Sequence, residues 1–246
     1  MKQKQLHLED VSTVRILMLG DKGVGKTSLT NLLASSAITP TPASRTVGER
    51  SWNIQVRLHE YPISVTLPLT PIWTSPSSSE GSGKYPYRDT RAPNSSNDIL
   101  YFVEFYDLSS ELRMRREHRD SFYKNIDGIV LVYNLQDLRS QDNLHDWLYD
   151  PLRQICKYRH RRTRPILRRQ HVPILVVGTK LDKLNFRPLR RGGSIAHQLM
   201  SDEILVNCQD PASFAERSRN EGKLRSFLDR VVEFKERFPL SRSRHP

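Results

Sequence analysis

Residues 20–28 read GDKGVGKTS, and the stretch from Gly20 to Thr27 fits G-x-x-x-x-G-K-[ST]. The chemistry this spacing supports is the holding of a polyphosphate. Gly20, Gly23 and Gly25 permit backbone turns that are costly for other residues, so the amides of the stretch can face inward together. Asp21, Lys22, Val24 and Ser28 complete the candidate nucleotide-binding loop. Lys26 supplies a cation for β- and γ-phosphate oxygens and is a candidate catalytic residue, while the Thr27 hydroxyl is a candidate Mg²⁺ ligand. A helix beginning here would add the attraction of its N-terminus for anions. The pattern alone can arise by chance. A strand before it and a helix after it give it meaning.

A second cluster is TKLD, formed by Thr179, Lys180, Leu181 and Asp182. The Asp182 carboxylate can accept hydrogen bonds from the N1 and N2 donors of guanine, a pair that adenine lacks. The Lys180 stem can lie flat over a base. Taken alone, four such residues are often no more than surface charge at a strand end.

Both clusters need a scaffold. TVRILML (13–19) is apolar on both faces, as a strand inside a parallel sheet must be, and it ends at Gly20. Residues 27–35 follow as a helix with Leu29, Leu32 and Leu33 on one face. WNIQVRLHEY (52–61) alternates like a strand with one solvated face, ILYFVEFYD (99–107) is another strand, and the two can form a hairpin. IDGIVLVYN (126–134) and VPILVVG (172–178) are further buried strands, the latter leading into TKLD. Ser140 is placed to cap a helix with Leu144, Trp147 and Leu148 inward, which Pro151 should kink or end. A short helix over 194–200, a last strand over 204–208 and an amphipathic helix over 223–239 complete the pattern. Strands alternating with helices predict an α/β fold with a mostly parallel sheet covered on both faces.

With TKLD at a strand end downstream of the phosphate loop, the chain resembles the Ras superfamily of small GTPases, whose motif is [NT]-K-x-D. It is most similar to the Rab-like protein 3 subfamily. The likeness is carried by GDKGVGKTSL, RTVG, FVEFYD, NIDGIVLVYNL, VPILVVGTKLD, NCQDP and KLRSFLDRVVE. It implies a P-loop NTPase G domain with a six-stranded sheet over 13–239, after an N-terminal extension (1–12) and before a basic tail (240–246). It also implies GTP and GDP as ligands with Mg²⁺ as cofactor. By the same likeness Thr46, in RTVGE, matches the threonine that reaches Mg²⁺ only when the γ-phosphate is present. Asp107 matches the aspartate that holds Mg²⁺ through water. Asn207, Cys208 and Gln209 stand where the family's last guanine-contacting loop usually reads Ser-Ala-Lys, so only a backbone contact is implied. A simple strand end is the other reading.

The departures matter as much. Where the family has D-x-x-G, this chain reads Asp107-Leu108-Ser109-Ser110. Ser110 keeps the amide that the glycine offers to the γ-phosphate but narrows the backbone's freedom. Glu111 replaces the glutamine that orients the attacking water, and its carboxylate adds like charge and lacks the amide donor. Alternatively, Glu111 points to solvent and Ser109 or another residue places the water. Lys22 occupies a loop position that is usually small. The resulting expectation is a GTP-binding regulatory switch with slow intrinsic hydrolysis, acting in intracellular signalling or trafficking. The competing expectation is a nucleotide-stabilised scaffold, a pseudo-GTPase acting through self-association as a homodimer or through other partners.

Charge and composition bound the rest. The 246 residues carry a net charge of +12, but eight Lys or Arg and no acid lie between Arg153 and Arg169, and without them the excess falls to +4. The run 157–170 reads as a solvated basic insertion; RNA, anionic lipid and nuclear import are the sharper alternatives. Tyr158 alone interleaves it, so nucleic acid is disfavoured. Residues 62–98 are rich in Pro, Ser, Gly and Thr and read as a disordered insertion or a recognition arm. Two cysteines, Cys156 and Cys208, suit free thiols in the cytoplasm. No signal peptide, membrane span or lipid-anchor motif is expected. Membrane contact would then need a partner or the basic run. The eight histidines show no metal-ligand spacing.

Overall fold

The computed structural model describes residues 11–35, 52–62, 98–108, 122–159, 172–184 and 194–239. Strands β1 (Ser12–Leu19), β2 (Trp52–Tyr61), β3 (Ile99–Leu108), β4 (Gly128–Asn134), β5 (Ile174–Thr179) and β6 (Asp202–Leu205) form one sheet in the order β2-β3-β1-β4-β5-β6. β2 and β3 pair antiparallel from Trp52 opposite Leu108 to Tyr61 opposite Ile99. All other neighbours run parallel.

The alternation of side chains along the central strands builds two cores. Val14, Ile16 and Met18 of β1, Val130 and Val132 of β4, and Leu175 and Val177 of β5 enter one cluster. Leu17 and Leu19, Ile129 and Leu131, and Ile174 and Val176 enter the other. This is why these strands read as unbroken apolar runs: neither face sees water. Helices α1 (Lys26–Ser35) and α5 (Arg219–Arg237) cover the first face with Leu29, Leu33, Phe227, Leu228 and Val231. Helix α3 (Leu144–Arg159) covers the second with Leu144, Leu148, Leu152 and Ile155. Each such side chain contributes about 1.5–3 kcal/mol on burial.

Several local expectations shift. Ser140 is no N-cap. Asp137 caps a separate short helix, α2 (Leu138–Asp142), by accepting from the Arg139 amide at 3.1 Å. Ser140 is buried inside it, accepting from the Asn134 amide at 2.9 Å and donating to the Asp137 carbonyl at 2.5 Å. Pro151 does not end α3, which continues to Arg159. The packing of Leu152 and Ile155 outweighs the lost N–H, and the first residues of the basic run are helical. The short helix expected over 194–200 is α4 (Ile195–Gln198). β6 sits two residues earlier than expected, and Val206–Cys208 leave the sheet. α5 starts at Arg219 because Ser218 accepts from the Glu221 amide at 3.1 Å, an N-cap with the Ser-x-x-Glu spacing of a capping box. Most of 62–98, the basic run past 159, residues 1–10 and the tail lie outside the described residues.

Gly128 marks where α5 presses on the sheet. A Cβ there would lie 2.6 Å from Val231 Cγ2 and 3.3 Å from the Phe227 ring. Gly128→Ala is expected to cost about 1–3 kcal/mol through overpacking. Urea unfolding checks this: the midpoint should fall with little change in slope.

Candidate functional site

The ends of β1, β4 and β5 open onto one edge of the sheet, where ligands of open α/β sheets settle. Residues 20–25 join β1 to α1 there. Gly20 has φ 145°, and a Cβ on it would lie 2.0 Å from the Val132 carbonyl oxygen, so no other residue fits. Lys26 is buried, and its Nζ donates to the Gly20 and Asp21 carbonyls at 2.8 Å each. Burial pulls its pKa below the ordinary lysine value, with Asp107 and Asp21 opposing. Thr27 Oγ1 donates to Asp107 Oδ2 at 2.5 Å. Asp107 lies opposite Met18 near the end of β3 and is itself buried. Burial raises its carboxyl pKa, against the Thr27 hydrogen bond and the Lys26 charge. Lys26, Thr27 and Asp107 thus form one charged group. Lys22 and Gly23 are exposed at the crest of the loop, and Val24 is buried.

TKLD divides its work. Thr179 is fully buried, and its hydroxyl donates to the Val24 carbonyl with the Tyr133 carbonyl 3.1 Å away. It braces the phosphate loop from behind. Lys180 takes the left-handed conformation, φ 60°, which turns the chain into the short helix Leu181–Lys183 and leaves Asp182 exposed. The Leu181 amide donates to the Val206 carbonyl at 3.2 Å, bringing the Asn207–Gln209 segment alongside. Asn207 spends its side chain on its own turn, with Oδ1 accepting from the Gln209 amide at 2.9 Å. Burial, with the Asp182 carboxylate adding, pushes the half-buried Cys208 thiol up to about 11. Cys208 therefore stays neutral beside that carboxylate. Thr46, Ser110 and Glu111 lie outside the described residues.

Two residues here escaped the sequence reading. Asn143 and Trp147 both donate to the Asp21 carboxylate. Helical periodicity assigned Trp147 to the core only. The one available signal was the four-residue spacing of two side-chain donors, which is common in helices.

No protein-family model matches the chain. It is 28% identical to Rab-like protein 3 of Bos taurus over 239 residues, covering 92% of this chain and 87% of that protein. Against Rab-like protein 3 of Xenopus laevis it is 29% identical over 245 residues, covering 94% and 89%. Against the small GTPase LIP1 of Arabidopsis thaliana it is 32% identical over 136 residues, covering 54% of this chain and 31% of LIP1. The chain is a homologue of the Rab-like small GTPases. In this chain the mostly parallel sheet carries the phosphate loop at β1 and TKLD at β5, with β4 between them. Among the described residues, no helix is long and apolar enough to cross a membrane.

The Thr179 brace can be tested separately. Thr179→Val keeps the shape but leaves the buried Val24 carbonyl without its donor. The variant is expected to lose about 1–3 kcal/mol of stability. Denaturant titration against wild type checks it; an unchanged midpoint would show the hydroxyl to be idle.

Proposed function

We propose that the chain binds GTP and GDP together with Mg²⁺ and acts as a regulatory switch with slow intrinsic hydrolysis. The observation that carries this reading is the convergence of Lys26, Thr27 and Asp107 at the sheet edge, with the TKLD segment bonded to the same loop through Thr179. Phosphate oxygens would replace the Gly20 and Asp21 carbonyls around Lys26, so the buried ammonium exchanges one set of acceptors for another. The amides of Gly20–Ser28 and the N-terminus of α1 add donors. Asp182, exposed at its turn, supplies the acceptor pair for guanine, and the Cys208 segment offers backbone.

Thr27 and Asp107 fit Mg²⁺. They place two hard oxygen donors together, and this ion asks few ligands of a protein, keeping waters and phosphate oxygens for the rest. Thr46 is the third proposed donor. When bound, the ion would offset negative charge on the phosphates. The expectation of slow turnover rests on Glu111, whose side chain has no amide to hold a water, and on Ser110, a residue type with less backbone freedom than the glycine it replaces. We place this activity in the cytoplasm, in signalling or trafficking, with a homodimer of this chain as a proposed partner state.

The test loads the pure full-length protein with GTP and Mg²⁺, removes the excess, and identifies the retained nucleotide over time. Retained GTP, converted no faster than the roughly 10⁻⁴ s⁻¹ of unassisted small GTPases, is the expected result. Prompt conversion to GDP would overturn the slow reading. A protein that retains no nucleotide would overturn the GTP reading itself. In the same assay Asp182→Ala should weaken guanine-nucleotide binding at least about a hundredfold, through the loss of two charge-assisted hydrogen bonds.

A further inference from the structure

Asp21 puts a carboxylate into a loop whose task, on the reading above, is to hold phosphate. A like charge there opposes binding unless it is turned aside. Its Oδ2 accepts from Asn143 Nδ2 at 2.8 Å, and its Oδ1 accepts from Trp147 Nε1 at 2.6 Å. Each oxygen thus has one neutral donor, from 122 and 126 residues away in sequence. Asn143 joins α2 to α3, and its carbonyl accepts from the amides of Asp146 and Trp147 at 3.1 and 3.3 Å. The first turn of α3 therefore fixes the two donors relative to each other. Leu144 and Leu148 beside them are buried against the sheet, so the donors stand on a rigid support. On its inner side, Asp21 gives its carbonyl to Lys26 Nζ. One residue joins α3 to the phosphate-binding cation.

We infer that Asn143 and Trp147 are positioning residues for the phosphate loop: through Asp21 they hold a carboxylate away from the phosphate seat and set where the Asp21 carbonyl and Lys26 stand. The inference rests on the guanine-nucleotide reading and deepens it. The first turn of α3 becomes a handle on the nucleotide, because any shift there moves Asp21. The Asp21 charge also supports the ammonium form of Lys26 against burial. Turning this carboxylate loose would therefore disturb the loop and its cation together.

The experiment measures the dissociation of fluorescent GDP from the full-length protein and four variants. Trp147→Phe keeps an aromatic ring, smaller than the indole, and removes the donor. Asn143→Ala removes the other donor at an exposed position, so it serves if the Phe variant folds poorly. Asp21→Ala and the double Asp21→Ala/Trp147→Phe complete the cycle. Each single change should speed release about tenfold, and the double should release no faster than Asp21→Ala alone. In a background where Trp52 and Trp73 are replaced by Phe, nucleotide loading should also change the Trp147 emission, and this change should vanish in Asp21→Ala. Wild-type release rates in the singles, or effects that multiply in the double, would overturn the inference while leaving the guanine reading intact. A wild type that holds no GDP would sink both.

Discussion

Lys26 is a cation in a buried place, and the phosphate loop is arranged around that fact. An ammonium removed from water needs acceptors on all sides. Here they are the carbonyls of Gly20 and Asp21, with the charges of Asp107 and Asp21 behind them. Gly20 has φ 145°, a conformation that favours glycine, and it is pressed so close to Val132 that no side chain fits. β1 can bring Gly20 to that point because it is buried on both faces and paired on both edges, with β3 and β4. The chain of causes runs from apolar alternation to strand position to loop geometry to a charge held ready for an anion.

The two halves of the site are one mechanical body. Thr179 belongs by sequence to TKLD, the segment proposed to read the base, yet its hydroxyl bonds to Val24 in the phosphate loop and lies beside the Tyr133 carbonyl of β4. The Leu135 amide donates back to the Thr179 carbonyl at 3.1 Å. The hydrogen bond from Thr179 to the Val24 carbonyl thus joins the segment that carries Asp182 to the loop that precedes Lys26.

How much of this the sequence disclosed follows from the range of each interaction. The strands were legible because burial on both faces leaves an unbroken apolar run, and the phosphate loop because backbone geometry demands glycine at fixed places. Ser140 misled because Asp137, three residues earlier, takes the capping role first. Ser218 was missed although Ser-x-x-Glu was on view, since the apolar spacing of α5 begins only at Leu224. The Asn143–Trp147 grip on Asp21 spans more than a hundred residues. Local pattern cannot reveal which of many polar side chains meet across such a distance; only the fold does.

The β2–β3 pair shows how a polar surface can still place Asp107. On the face toward α1 and α5, β2 turns Gln55, Arg57 and His59 inward rather than apolar residues. Burial, with Arg225 adding, pushes the Arg57 guanidinium down to about 10, and Arg57 donates to the Leu33 carbonyl of α1 at 3.1 Å. His59 meets Asp229 of α5 at 2.8 Å, and Tyr101 of β3 donates to Glu236 at 3.3 Å. Lys235 of the same helix reaches the Thr13 carbonyl at the start of β1. These contacts are directional, so they fix register where hydrophobic burial would tolerate sliding. α5 thereby holds β2, β3 and β1 at the end of the sheet away from the phosphate loop. Because β3 pairs with β1 from Ser12–Tyr101 to Met18–Asp107, that alignment is carried along the strands to the other end. The 2.5 Å contact between Thr27 and Asp107 is the downstream result. A one-residue slip would turn Asp107 to the other face of the sheet and separate the two oxygens proposed to hold Mg²⁺.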